Sequence, residues 1–311
     1  MNYSFLCPGQ GSQSVGMGKD LYATYSSVKK RFEQANTITD RDLSTIILSG
    51  PMGVLTATEN TQPALFTVEA AIIDVLSENN VRPFVTTGHS LGEYGALYAA
   101  GVLSFEDGLR AVTQRGKLMA EAGKTAAGTM AAVIGMSKQD LSDTLSKVES
   151  GIVVAANENS PEQTVISGEV TAIKEACEKC KTAGAKRAIQ LPVSGAFHSP
   201  LMESAANAFA TVLNEISFNT PHCPVICNVS ASPETDPVRI KELLLQQLTS
   251  PVRWVETMQV LSEMEHGICL ETGPGTVLKG LARKCTDSLN VISCDSAINI
   301  FSLLNNKQSD L

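Results

Sequence analysis

Phe84-Val85-Thr86-Thr87-Gly88-His89-Ser90-Leu91-Gly92-Glu93-Tyr94 is the stretch on which the fold turns. A short apolar strand runs into a glycine-flanked serine. Beyond it Leu91, Tyr94, Leu97 and Tyr98 recur at helical spacing until Gly101, a C-cap. A strand that bends through one serine into a helix is the context of a nucleophile elbow, in which glycines allow close backbone approach and the serine stands at a helix N-terminus. Taken alone, the same residues also suit a serine that merely caps a glycine-flanked helix.

Outward from the elbow, strand-length and helical patterns alternate. Tyr3 to Cys7 reads as a strand, and a Pro63-led helix follows through Leu65, Phe66, Val68, Ile72, Ile73, Val75 and Leu76. Ser104-x-x-Asp107 resembles a capping box that opens a helix through Leu109, Val112, Leu118 and Met119, with Gly123 and Gly128 bracketing a break. Such alternation predicts an α/β fold on a parallel sheet, a large domain of the α/β-hydrolase-like kind. From Met130 to Leu191 the order becomes strand, helix, strand, strand, helix, strand, with Asn157-Glu158-Asn159-Ser160-Pro161 as the turn between the middle strands. That βαββαβ order predicts a small ferredoxin-like domain over 128–192, inserted into a large catalytic domain of 1–127 and 193–311. Past the insertion, a strand is expected at Pro224 to Val229, a helix near Ile240 to Leu248, a strand at Ile268 to Glu271 and a turn at Gly273-Pro274-Gly275. The polar residues from Asn305 to Leu311 read as a loose tail.

The 311 residues suffice for one large domain with an insertion, and 43% hydrophobic, 18% charged and 5% aromatic residues describe an ordinary globular enzyme. Low aromatic content and a net charge of −8 argue against nucleic acid as a partner. No run approaches the length of a membrane span, and the first residues lack the charged and apolar regions of a signal peptide, so a cytoplasmic protein is expected. The eight cysteines are then read as free thiols. Cys177-x-x-Cys180 and Cys223-x-x-x-Cys227 with His222 can be arranged on paper as a zinc site, but the first pair lies in a charged helical pattern and the second flanks an apolar strand. No metal is expected.

A serine hydroxyl needs a base, and the chain has four histidines. His89 adjoins the serine and should point away across the turn, while His222 and His266 sit at unremarked polar-to-apolar junctions. His198, in Ser194-Gly195-Ala196-Phe197-His198-Ser199-Pro200, lies in a small-residue loop after a strand, from which it can reach another strand's end. Composition favours it only slightly over a structural histidine.

Six motifs in order add more. Pro8-Gly9-Gln10-Gly11-Ser12-Gln13, Thr61-Gln62-Pro63-Ala64, Gly88-His89-Ser90-Leu91-Gly92-Glu93-Tyr94, Gln114-Arg115-Gly116, Gly195-Ala196-Phe197-His198-Ser199 and Thr272-Gly273-Pro274-Gly275 together make the chain resemble malonyl-CoA:acyl carrier protein transacylases and the acyltransferases of polyketide synthases over essentially its whole length. The resemblance implies Ser90 as the acylated nucleophile, His198 as general base, the N–H groups of Gln10 and Leu91 as oxyanion hole, and a backbone carbonyl at Gln247 orienting the histidine. It also implies that Arg115, otherwise readable as a solvated helix arginine, clamps the free carboxylate of malonate beside Gln62. Phe197, otherwise a core aromatic, resembles the residue with which malonyl-selective polyketide acyltransferases disfavour methylmalonyl. Simple fatty-acid transacylases carry a shorter serine-histidine motif there, so both pathways stay open. Cys7 stands where an aromatic is usual, a change of packing.

The implied reaction is ping-pong, from malonyl-CoA through malonyl-Ser90 to the phosphopantetheine thiol of an acyl carrier protein, with no cofactor. The acidic carrier needs a basic rim. Lys279, Arg283 and Lys284 are preferred for it over Lys179, Lys181, Lys186 and Arg187, though either group also reads as a solvated face. A monomer is expected, since no apolar helix or strand is left over. The competing enzyme is a serine hydrolase or thioesterase of α/β-hydrolase type. It wants a late histidine, for which only His266 is placed, and an oxyanion loop that the sequence lacks. A non-catalytic carrier-binding subunit would be expected to have lost Ser90, His198 or Arg115.

Overall fold

A computed structural model describes residues 2–193, 195–264 and 267–309. Its strands are β1 (Tyr3–Cys7), β2 (Val85–Gly88), β3 (Gly128–Ile134), β4 (Val153–Ser160), β5 (Gln163–Glu169), β6 (Arg187–Gln190), β7 (Val225–Ile226), β8 (Pro233–Glu234), β9 (Ile268–Glu271) and β10 (Val291–Ser293). They form two sheets. The six-stranded one runs β10-β9-β1-β2-β7-β8, parallel throughout except where β8 pairs antiparallel with β7; the four-stranded one runs β4-β5-β3-β6 and is antiparallel.

β1 and β2 are buried along their whole length, which is why they read as continuous runs with no polar alternation. Phe5 enters a core with Phe32, Phe66, Leu97 and Phe209 on one face of the sheet, while Leu6 and Val85 meet Trp254, Met258 and Leu281 on the other. In the four-stranded sheet Ala131 and Val133 pack with Leu141, Ile173 and Cys180 of helices Lys138–Leu145 and Val170–Thr182. The alternate residues Met130 and Ala132 face a cavity between the two sheets, as the two-residue period of a strand requires.

Register brings the functional loops together. Cys7 pairs with Gly88 and Leu6 with Glu271, so Pro8-Gly9-Gln10, His89-Ser90 and Thr272-Gly273 all leave the sheet at one edge. The crossing is tight enough to require glycine. A Cβ on Gly92 would stand 2.0 Å from the Cys7 carbonyl oxygen, and one on Gly88 2.0 Å from that of Gly92.

Several elements differ from their sequence reading. The helix expected to start at Pro63 spans Thr58–Glu78 with Pro63 inside. Proline cannot bond the carbonyl four residues back, and Arg41 Nη2 donates to that carbonyl, Glu59 O, at 3.4 Å instead. Helix Phe105–Thr125 runs just past Gly123, packed along Thr58–Glu78, and the break expected between Gly123 and Gly128 falls at 126–127, before β3 begins. The turn expected at 157–161 is strand as far as Ser160, with two register shifts against β5. Main-chain and side-chain partners hold it so: the Asn157 backbone bridges to Val252, Glu158 N donates to Val252 O at 2.9 Å, and the Glu158 carboxylate accepts from Lys138 Nζ at 2.8 Å.

The ladder at Pro224 to Val229 shrinks to Val225–Ile226, and helix Trp254–Glu263 and β10 had no counterpart in the sequence reading. The expected tail is helical to Ser309 (Ala297–Ser309), because Ile300 and Leu303 are buried and Ala297 N donates to Asp20 Oδ2 at 2.6 Å; residues 310–311 lie outside the described residues. Among the described residues no helix is long and apolar enough to cross a membrane.

Candidate active site

Ser90 follows β2 and precedes helix Gly92–Ala99 with φ +54°, the left-handed region that a non-glycine residue enters at a cost of about 1–3 kcal/mol unless its surroundings hold it there. They do. Asn228 Oδ1 accepts from the Ser90 amide at 2.7 Å, Asn228 Nδ2 donates to Gly88 O at 2.6 Å, and Gln247 Nε2 donates to Ser90 O at 2.9 Å. The strain turns the hydroxyl out of the helix start and into the cavity.

His198, itself at φ +58°, places Nε2 2.7 Å from Ser90 Oγ and Nδ1 2.7 Å from the main-chain oxygen of Gln247. A carbonyl only accepts, so Nδ1 carries the proton and Nε2 is left to accept the serine proton. Burial first, and then the neighbouring Arg115 charge, push His198 down to about 3, which keeps the imidazole neutral and available as a base at neutral pH. His89 serves otherwise. Its Nε2 lies 2.7 Å from Asn159 Oδ1 on β4, and its ring packs on Trp254 with centroids 5.3 Å apart.

Arg115, buried in helix Phe105–Thr125, is no solvated arginine. Nη1 donates to Gln62 Oε1 at 3.0 Å and Nη2 to Gln247 Oε1 at 2.8 Å, with Ser90 Oγ 3.3 Å from Nη2; among the described residues Nε has no partner. The guanidinium therefore keeps donor capacity on its Nε and Nη2 edge, beside the nucleophile. The amides of Gln10 and Leu91, both lining the cavity, likewise have no hydrogen-bond partner among the described residues. The cavity, about 270 Å³, has Ser90, His198 and Arg115 on one wall and Met130, Val165 and Asn159 on the other. Phe197 closes one side, its ring packed over Gly195 where a Cβ would lie 2.6 Å from Cε1.

The structure thus gathers Ser90, His198, Arg115, Gln62, Gln10, Leu91, Gln247 and Phe197 at one place. Lys279, Arg283 and Lys284 lie apart from it on helix Val277–Cys285; Lys284 Nζ reaches Gln163 Oε1 at 3.3 Å, and Gln163 lines the cavity. His222 is exposed, and His266 lies outside the described residues. The eight cysteines are free thiols. Sequence reasoning missed Asn228, Asn159 and the Gln247 side chain, and passed over Glu93, although Glu93 sits inside the quoted motif. Glu93 is 1% exposed, and its Oε2 accepts from Gln247 Nε2 at 2.5 Å.

A hydroxyl on a strained elbow, a neutral imidazole against it and unpartnered amides beside it define a serine enzyme of acyl transfer. The family model described as acyl transferase domain matches residues 4–300. The malonyl CoA-acyl carrier protein transacylase of Bacillus subtilis is 44% identical over 292 residues, 93% of this chain and 92% of that protein; that of Escherichia coli K12 is 40% identical over 299 residues, 96% of each. Among solved structures, a malonyl-transacylase in complex with its holo type II PKS acyl-carrier protein superposes with a TM-score of 0.95 at 39% identity, covering 98% of this chain and 100% of that one. An acyl carrier protein S-malonyltransferase from Vibrio cholerae gives 0.94 at 40%, covering 97% and 100%. The chain belongs to the malonyl CoA-acyl carrier protein transacylase family.

Proposed function

We propose that the chain carries a malonyl group from malonyl-CoA to the phosphopantetheine thiol of an acyl carrier protein, through an ester on Ser90, in fatty-acid or polyketide synthesis. The observation that carries this reading is one oxygen with two neighbours: Ser90 Oγ lies 2.7 Å from His198 Nε2 and 3.3 Å from Arg115 Nη2. The first makes the serine a nucleophile. The second puts a buried cation where the far end of a short dicarboxylic acyl group falls.

In the first half-reaction His198 Nε2 takes the Ser90 proton as Oγ attacks the thioester carbonyl. The oxyanion forms against the N–H groups of Gln10 and Leu91, each such donor contributing about 2.7–4 kcal/mol to the transition state. The C–S bond breaks, and the imidazolium, held by the Gln247 carbonyl, returns its proton to the departing CoA thiolate. The malonate carboxylate displaces the weak Ser90 contact and takes the free edge of Arg115. The carrier thiol then repeats the steps in reverse. Each half exchanges a thioester and an oxygen ester, so the electron count closes without metal or redox group. Holding the acyl chain at both ends orients it for the thiol rather than for water.

The architecture is read as a large α/β-hydrolase-like domain over 1–127 and 193–311 with an inserted ferredoxin-like domain over 128–192. The strand order β4-β5-β3-β6 and the helices on one face of that sheet support the second part. Phe197 limits space beside the malonyl α-carbon. Lys279, Arg283 and Lys284 form the basic rim for the carrier, supported by the Lys284 contact to Gln163 at the cavity. The reading includes a cytoplasmic monomer. Free thiols support the compartment, and in the six-stranded sheet edge strands of only two residues (β8) and three (β10) support the monomer.

Initial rates with malonyl-CoA and holo carrier protein test the function. Parallel double-reciprocal lines, abolished by Ser90→Ala, are expected. Intersecting lines, or activity surviving Ser90→Ala, overturn the ester intermediate.

A further inference from the structure

Gln247 contacts His198, Ser90 and Arg115 at once. Its main-chain oxygen receives His198 Nδ1, its Nε2 holds Ser90 O and its Oε1 holds Arg115 Nη2. A side-chain amide has nearly the same shape either way round, so the chemistry of its neighbours decides which end faces which. With the amide reversed, an NH₂ would face a guanidinium that only donates, and Ser90 O would lose its donor. Behind Gln247 two more acceptors favour the same orientation: Glu93 Oε2, which accepts from Nε2 at 2.5 Å and from Asn228 N at 3.4 Å, and, more distantly, Asn228 Oδ1 at 3.5 Å from Nε2. The other groups bearing on Glu93 are the Arg115 charge and the Cys227 thiol.

We propose that Glu93 is a positioning residue for acyl selectivity: by accepting from Gln247 Nε2 it fixes the Gln247 amide, and through Gln247 Oε1 it holds the Arg115 guanidinium where the substrate carboxylate binds. This rests on the reading of Arg115 as the carboxylate clamp. Glu93 touches no substrate and works through Gln247, with a longer contact to Asn228 N beside it. The device needs an acceptor oxygen and not a negative charge. Burial pushes the Glu93 carboxyl up to about 7, and a protonated carboxyl still keeps an acceptor oxygen for Gln247 Nε2.

The test compares wild type, Glu93→Gln, Glu93→Leu, Glu93→Asp and Arg115→Ala for kcat/KM with malonyl-CoA and with acetyl-CoA, using one holo carrier protein. Glu93→Leu removes the acceptor and is expected to lower the malonyl-to-acetyl ratio at least about tenfold, mainly through KM for malonyl-CoA, with acetyl transfer falling much less than malonyl transfer. Glu93→Gln keeps a carbonyl oxygen for Gln247 and stays within about threefold of wild type. Should the leucine variant fail to fold, Glu93→Asp, which withdraws the oxygen by one methylene, is expected to lower the ratio by about threefold or more. Equal loss with both acyl groups, or an unchanged ratio in Glu93→Leu or Glu93→Asp, overturns the proposal. A ratio unchanged in Arg115→Ala removes the clamp itself and the Glu93 proposal with it; a ratio that collapses there and not in the Glu93 variants removes Glu93 alone.

Discussion

Arg115→Ala separates acyl recognition from acyl chemistry. The guanidinium donates to Gln62 at 3.0 Å and to Gln247 at 2.8 Å, while among the described residues Nε has no partner and the Ser90 contact is long at 3.3 Å. A malonyl carboxylate therefore gains two charge-assisted hydrogen bonds on the free edge without displacing either glutamine. At about 1.5–3 kcal/mol each they contribute about 3–6 kcal/mol, equivalent to a loss of about 10²- to 10⁴-fold in kcat/KM for malonyl-CoA when the arginine is removed. Acetyl-CoA has no carboxylate to lose, and it no longer faces a buried cation beside its methyl group. Its transfer should hold or rise. The assay is release of CoA with each donor, saturating in holo carrier protein, alongside a thermal melt that checks folding, because Gln62 and Gln247 each lose a donor. A malonyl loss below about tenfold, or an equal fall in acetyl transfer, refutes the clamp.

The remaining predictions are shorter. With His198 pushed down to about 3 by burial and by Arg115, kcat/KM for malonyl-CoA should stay flat from about pH 8 to about pH 5 and fall only below, since the base works above its pKa. A wild-type limb centred near the ordinary histidine value contradicts this, and Arg115→Ala should move the limb upward by removing a positive neighbour. Phe197→Ala enlarges the cavity beside the acyl α-carbon and should raise methylmalonyl transfer relative to malonyl by about 10-fold, read by competition between the two donors; an unchanged ratio leaves Phe197 as core packing. Charge reversal at Arg283 and Lys284, both exposed, should raise the apparent KM for carrier protein several-fold at low salt and less as salt screens it, with KM for malonyl-CoA unmoved. No change at low salt removes the Val277–Cys285 helix as the docking site.

Local signals made the elbow readable: an apolar strand, glycines at Gly88 and Gly92 and a helical repeat beyond them all lie between Phe84 and Tyr98, and the capping serine Ser104, whose Oγ accepts from Asp107 N at 3.0 Å, is as local a signal. The residues that hold the elbow were not readable from spacing. Asn228 and Gln247 reach Ser90 from 138 and 157 residues away, and neither side chain carries a local signature. Asn157 to Ser160 misled for the opposite reason. Their composition is that of a turn, yet partners at His89, Lys138 and Val252 hold them in a strand. Pro63 marked a helix start by local preference and sits well inside one, because Arg41, distant in sequence, takes up the carbonyl that proline leaves unbonded. Arg115 required the likeness of Gln114-Arg115-Gly116 to a family, since a helical arginine reads as solvated until its burial is known.

The central claim is that Ser90 holds the acyl group between two thiols. Brief incubation with labelled malonyl-CoA, rapid denaturation and peptide mass analysis test it most directly. The account predicts one malonyl ester, on the peptide bearing Ser90, that holo carrier protein discharges far faster than buffer does. A label on any other residue, or an ester lost to water as fast as to the carrier thiol, contradicts it.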